Sequence, residues 1–91
     1  MNIIRQRVFF SGRVQGVGFR YTTQRISGEF DVTGFVRNLD DGRVELVAEG
    51  TSSELLAFLD KIKEVMQDYI ADVVCDKLSA SGEFNRFEIR H

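Results

Sequence analysis

Proline and tryptophan are absent from this 91-residue chain, cysteine and histidine occur once each, and no apolar run is long. Without proline no element is broken from within, and no slow X–Pro isomerisation is expected in folding. A lone cysteine cannot close an internal disulfide, and Cys75 with His91 supplies too few ligands for a metal site. Such sparing use of cysteine fits a reducing, cytoplasmic setting. No segment nears the ~20 apolar residues of a membrane-spanning helix. The start, Met1-Asn2-Ile3-Ile4-Arg5, reaches charge before a signal-type apolar stretch forms, so no membrane partner is expected. An excess of positive charge is lacking too. The 12 Lys+Arg and 14 Asp+Glu leave a net charge of −2, which argues against a broad polyanion such as nucleic acid. Taken alone, that charge also weighs against an anionic ligand.

What is present reads as one domain over residues 1–91, with a hydrophobic fraction of 43%, ordinary for a globular protein. Arg7–Ser11 alternates as a strand, with Val8 and Phe10 on one face and Phe9 on the other. Phe19, Thr22/Thr23, Ile26 and Phe30 recur at helical spacing, which keeps Gly28 inside the helix and places Asp31 at its stop. Val32–Asn38 reads as a second strand, and Asp40-Asp41-Gly42 turns the chain. In the third, Arg43–Glu49, Val44, Leu46 and Ala48 point inward and Glu45 and Glu49 outward. Thr51-Ser52-Ser53-Glu54 is a capping box for a helix whose stripe is Leu55, Phe58, Leu59, Ile62 and Val65/Met66. Ile70–Leu78 and Phe84–Arg90 complete the strands. Cys75 shares a face with Ala71 and Val73 and is expected as a small core residue. Phe9, Phe10, Phe19, Phe58 and Phe87 are expected in the core, and the terminal His91 is expected in solvent with no catalytic part. This order predicts an α+β, ferredoxin-like βαββαβ sandwich: a mostly antiparallel sheet, two helices on one face and a short fifth strand.

The chemistry concentrates in Gly12-Arg13-Val14-Gln15-Gly16-Val17-Gly18-Phe19-Arg20, between a strand and a helix. The first amides of a helix have no partner within it, and a glycine-rich approach can turn further amides inward as an anion nest. A phosphate fits such a nest, and the helix dipole favours it. Arg20 in the first turn could close on the same anion with two parallel N–H donors, against the local dipole preference. From shape alone an equal reading stays open, in which the glycines only make a tight turn and Arg20 is solvated. Nucleotide-binding glycine motifs do not fit: there is no Gly-Lys-Ser/Thr ending and no third glycine after Gly16 and Gly18.

That stretch, followed by Gly34-Phe35-Val36-Arg37-Asn38 and Asp41-Gly42, resembles the acylphosphatase family, and the likeness runs to Phe87-Glu88-Ile89-Arg90. The resemblance implies an enzyme that hydrolyses the carboxyl–phosphate bond of small acyl phosphates. In it the loop of Gln15, Gly16, Val17, Gly18, Phe19 and Arg20 holds the phosphate, Arg20 binds phosphoryl oxygens and Asn38 positions the attacking water. It implies no metal, no cofactor and no covalent intermediate, and a monomer that acts on a small molecule without nucleic acid or membrane. The chemistry is consistent with this economy. A carboxylate leaving group has a pKa near ~4 and departs as an anion without a general acid. Charge stabilisation and an aligned water remain to be supplied. Phe30-Asp31 and Phe35 depart from the family's usual Leu-Gly and Trp or Tyr at those places, without touching Arg20 or Asn38. Arg13 is expected to add little beyond potential at the loop mouth. Two other readings share the topology: an RNA-recognition module, and a domain of a larger carbamoyl-transfer protein.

Overall fold

The computed structural model describes residues 2–91; Met1, and with it the first residue of the expected 1–91 domain, lies outside them. The elements are β1 (Ile3–Gly12), α1 (Phe19–Ser27), β2 (Thr33–Asn38), β3 (Val44–Thr51), α2 (Ser52–Val65), β4 (Ile70–Ser79) and β5 (Phe87–Arg90). The strands form one sheet in the order β4-β1-β3-β2-β5. Every pairing is antiparallel except that of β2 with β5. Both helices contribute their buried stripes to a single apolar layer with the sheet. This is the ferredoxin-like α+β sandwich that the element order predicts.

Period-two alternation decides which side of each strand meets the helices. Ile4, Val8 and Phe10 of β1, Val44, Leu46 and Ala48 of β3 and Val36 of β2 all enter the core. Phe9 is opposite and remains outside it, half-buried under the guanidinium of Arg43, 4.5 Å from the ring centre. Phe10, Phe19 and Phe58 are fully or almost fully buried, and Phe87 packs at the core's margin.

Several local expectations are corrected. Helix α1 ends at Ser27, with Gly28 as its C-cap, so the helical spacing overruns by a turn. The following residues turn back, and Phe30 meets Phe58 with ring centres 6.0 Å apart. The capping box at α2 closes on one side only. Thr51 accepts from the Glu54 amide at 3.3 Å, whereas the Glu54 carboxylate reaches across to the Asp31 amide at 2.7 Å. Cys75 is exposed. It stands opposite Val8 and therefore on the helix side, but β4 is the sheet's edge, and there Val73, not Cys75, packs against the core.

The largest correction concerns Glu45 and Glu49, which are 6% and 4% exposed although alternation places them away from the helices. β3 is the middle strand, and long side chains cover its second face. Arg37 Nε donates to Glu45. Arg5 Nε donates to Glu49 Oε2 at 2.8 Å, and the amides of Ser81 and Gly82 reach the same carboxylate at 2.8 and 3.0 Å. Burial opposes the ionisation of Glu49. The Ser81 amide, the Arg5 guanidinium, the Gly82 amide and the Ser81 hydroxyl outweigh it and hold the carboxyl below its ordinary range. Arg90 lies 4.0 Å over the Phe35 ring on this same face.

Candidate active site

The motif loop is fixed at both ends. Arg13 donates its amide to the Tyr69 carbonyl at 2.9 Å, tying the end of β1 to the chain entering β4. Val14 is completely buried, and a buried aliphatic side chain contributes roughly 1.5–3 kcal/mol, enough to pin the loop at its base. At the far end Phe19 is buried, its ring 5.0 Å from that of Phe10. The middle of the loop is joined to the opposite hairpin by Gln15, whose Nε2 donates to the carbonyls of Leu39 and Arg43 at 2.8 and 3.0 Å. The Gln15 side chain is therefore a strut between loop and turn.

Gly16 and Gly18 adopt φ of +79° and +76°, a left-handed conformation that other residues enter at a cost. Gly18 is the N-cap of α1 and makes no side-chain cap bond, and no acidic residue occupies the first turn. The carbonyl of Gly18 accepts from Thr22, so the helix begins there. The amides of Phe19, Arg20 and Tyr21 precede the first intrahelical donor, and none of them has a hydrogen-bond partner among the described residues. The sequence has thus left the positive end of a helix and a glycine bend open to the same side.

That side is a recess of about 180 Å³ lined by Gly16, Gly18, Arg20, Asn38 and His91, with Val14, Phe19, Tyr21 and Ile89 behind or beside them. Of the residues expected here, Gly16, Gly18, Phe19, Arg20 and Asn38 come together. Gln15 and Val17 do not line the recess: Gln15 braces the loop, and Val17 packs against the core. Arg13 is not part of the lining either and sits 5.9 Å from the Tyr69 ring.

Asn38 closes β2 opposite Val44, on the helix side, in line with Val36 and Val32. Its Oδ1 is buried and has no hydrogen-bond partner among the described residues. A buried acceptor without a partner costs about 1–3 kcal/mol. Gln6 Oε1 and Thr23 Oγ1 share that condition, but of the three residues Asn38 is the one that lines the recess.

The side chain that sequence reasoning passed over is His91. It is exposed, as expected, yet it lines the recess and its Nδ1 lies 3.3 Å from Arg20 Nη1. The signal was available in the register: β5 runs parallel to β2 with Ile89 opposite Val36 and Arg90 opposite Arg37. One further step brings His91 to Asn38.

A sequence model of the acylphosphatase family matches residues 6–89 of the chain. An acylphosphatase of Syntrophotalea carbinolica is 41% identical over 91 residues, covering 99% of each chain. One of Marinobacter nauticus is 41% identical over 92 residues, covering the whole of both. Among solved structures, the acylphosphatase of Bacillus subtilis superposes with a TM-score of 0.86 at 33% identity, covering 97% of this chain and 99% of that one. The fold and nearly the full length agree, and the chain belongs to the acylphosphatase family, hydrolases that act on acid anhydrides.

Proposed function

We propose that the recess hydrolyses small acyl phosphates to a carboxylate and inorganic phosphate by direct, metal-independent attack of water on the phosphoryl group. The loop of residues 15–20 offers its amides to the phosphoryl oxygens, and Arg20 adds a cation able to bridge two of them. Gln15 and Val17 serve through their main chain, because their side chains are engaged elsewhere. The carbonyl oxygen of Asn38 accepts a hydrogen bond from the attacking water and adds no negative charge beside an anionic substrate.

The observation that carries this reading is the buried, unpartnered Asn38 Oδ1 in the same recess as Arg20 and the open amides at the start of α1. Chemistry supports the rest. With a carboxylate leaving group no acid is needed, and phosphoryl transfer depends mainly on alignment and charge stabilisation. We also propose that the protein acts as a cytoplasmic monomer without a nucleic-acid partner. On the open sheet face Arg5, Arg37 and Arg90 are each engaged with a carboxylate, of Glu49, Glu45 and Glu88 respectively, while Arg7 lies 5.5 Å from the Phe9 ring.

The test is hydrolysis of benzoyl phosphate, with and without EDTA, by the native chain and by Arg20→Ala. Turnover that survives EDTA, with Arg20→Ala losing both turnover and affinity for inorganic phosphate, is expected. Activity abolished by EDTA and restored by a divalent cation would refute the metal-independent route. An Arg20→Ala variant with full phosphate affinity would remove the arginine from its role.

A further inference from the structure

Arg20 is held from the end of β5. Its Nη1 lies 3.4 Å from the carbonyl oxygen of Arg90 and 3.3 Å from Nδ1 of His91. A guanidinium has donors only, so the second contact forms when Nδ1 carries a lone pair, with the imidazole neutral and its proton on Nε2. We propose that His91 is a positioning residue that orients the Arg20 guanidinium only while its imidazole is neutral, so that proton uptake by His91 weakens phosphate binding in this recess. The proposal rests on the reading of Arg20 as the group that binds the phosphoryl oxygens.

Protonation acts on the placement of Arg20 in two ways, both of which loosen it. It removes the acceptor that fixes Nη1, and it places a second cation about 3 Å from the first. The charged or titratable groups that share the lining with His91 are Arg20 and Tyr21, both from α1. From β2 the lining residue is Asn38, which does not titrate, and the loop contributes Val14, Gly16 and Gly18. Arg37 is turned away through the other face of the sheet toward Glu45, and Arg90 toward the Phe35 ring. Arg20 is therefore the cation that a charged imidazole meets here.

The test is the dissociation constant of inorganic phosphate, measured by amide chemical shifts from pH 5 to 8, for the native chain, His91→Asn, His91→Ala and Arg20→Ala. Asparagine presents an oxygen near the place of Nδ1 and does not titrate; alanine presents nothing. Comparing variants at one pH cancels the titration of phosphate itself and of any main-chain group at residue 91. The native chain should match His91→Asn at pH 8 and bind about three- to tenfold more weakly than it at pH 5, the range for one exposed hydrogen bond to a charged group. His91→Ala should be weakened relative to His91→Asn by the same factor at every pH. A native-to-Asn ratio that stays flat would overturn the proposal, as would tighter native binding at pH 5, which would mean that the protonated imidazole grips phosphate directly. Arg20→Ala separates the two layers. If it binds phosphate normally, the functional reading itself fails, whereas a flat ratio with weakened Arg20→Ala overturns the part given to His91 alone.

Discussion

Replacing Glu49 by Gln tests why two carboxylates lie beneath the open face of the sheet. The native carboxylate accepts from Arg5 Nε, from the amides of Ser81 and Gly82 and from the Ser81 hydroxyl, all between 2.8 and 3.1 Å. Glutamine keeps the shape but surrenders the charge, and its amide nitrogen must face one of those donors. Hydrogen bonds to a charged group contribute about 1.5–3 kcal/mol each, and breaking a fully buried pair costs roughly 3–5 kcal/mol. Arg5 is 20% exposed, which places the loss nearer ~2–3 kcal/mol, a fall in Tm of about 10–20 °C for a domain this size. The pH dependence gives the sharper check. A carboxyl held below its ordinary value contributes stability above that value, 4.5 for glutamate, and loses it as pH falls through the folded-state value. Urea unfolding followed by circular dichroism should show the full gap between native and Glu49→Gln at pH 7, and a gap closing on the acid side of pH 4.5. A gap of the same size at pH 7 and pH 2.5, or none at pH 7, would refute the reasoning.

Gly34 lies inside β2 at φ +141°, and a Cβ there would run into the carbonyl of Val47 on the neighbouring strand. Gly34→Ala should lose more than ~3 kcal/mol or fail to fold, whereas Gly42→Ala, with open space around it, should cost about 1 kcal/mol by thermal unfolding. Equal costs would rule out the steric cause. Gln15→Ala removes both hydrogen bonds from loop to hairpin and should raise KM several-fold and speed amide exchange in residues 15–18, with stability reduced by only about 1–2 kcal/mol. An unchanged KM would show that the strut does not order the loop.

Much of the architecture was legible because alternation and helical spacing report which side of an element is buried. Val8 and Phe10, Val44, Leu46 and Ala48, and Leu55, Phe58, Leu59 and Ile62 all went where the pattern placed them. The pattern cannot report how many layers cover a strand. Glu45 and Glu49 read as solvent-facing because their partners, Arg37, Arg5 and the main chain at residues 81–82, are 8 to 44 residues away along the chain. Cys75 fails for the opposite reason, since its side of the sheet is the helix side but its strand lies at the edge. Of the site, the glycine bend and Arg20 were readable as a local motif. Asn38 at a strand end beside a turn gained meaning only from the family likeness. His91 needed the register of β5 on β2, a long-range pairing that no local spacing encodes. The net charge of −2 does not describe the recess itself, where open amides and Arg20 gather in one short stretch.

The central claim is that Arg20 with the loop binds the phosphoryl group while Asn38 aligns the water that attacks it. Measuring Asn38→Ala for both kcat on benzoyl phosphate and the dissociation constant of inorganic phosphate separates the two tasks. The variant should lose about a hundredfold or more in kcat, the scale set by a misplaced reactant, with phosphate affinity kept within about threefold. Full turnover in Asn38→Ala, or affinity and turnover lost together, would contradict the account.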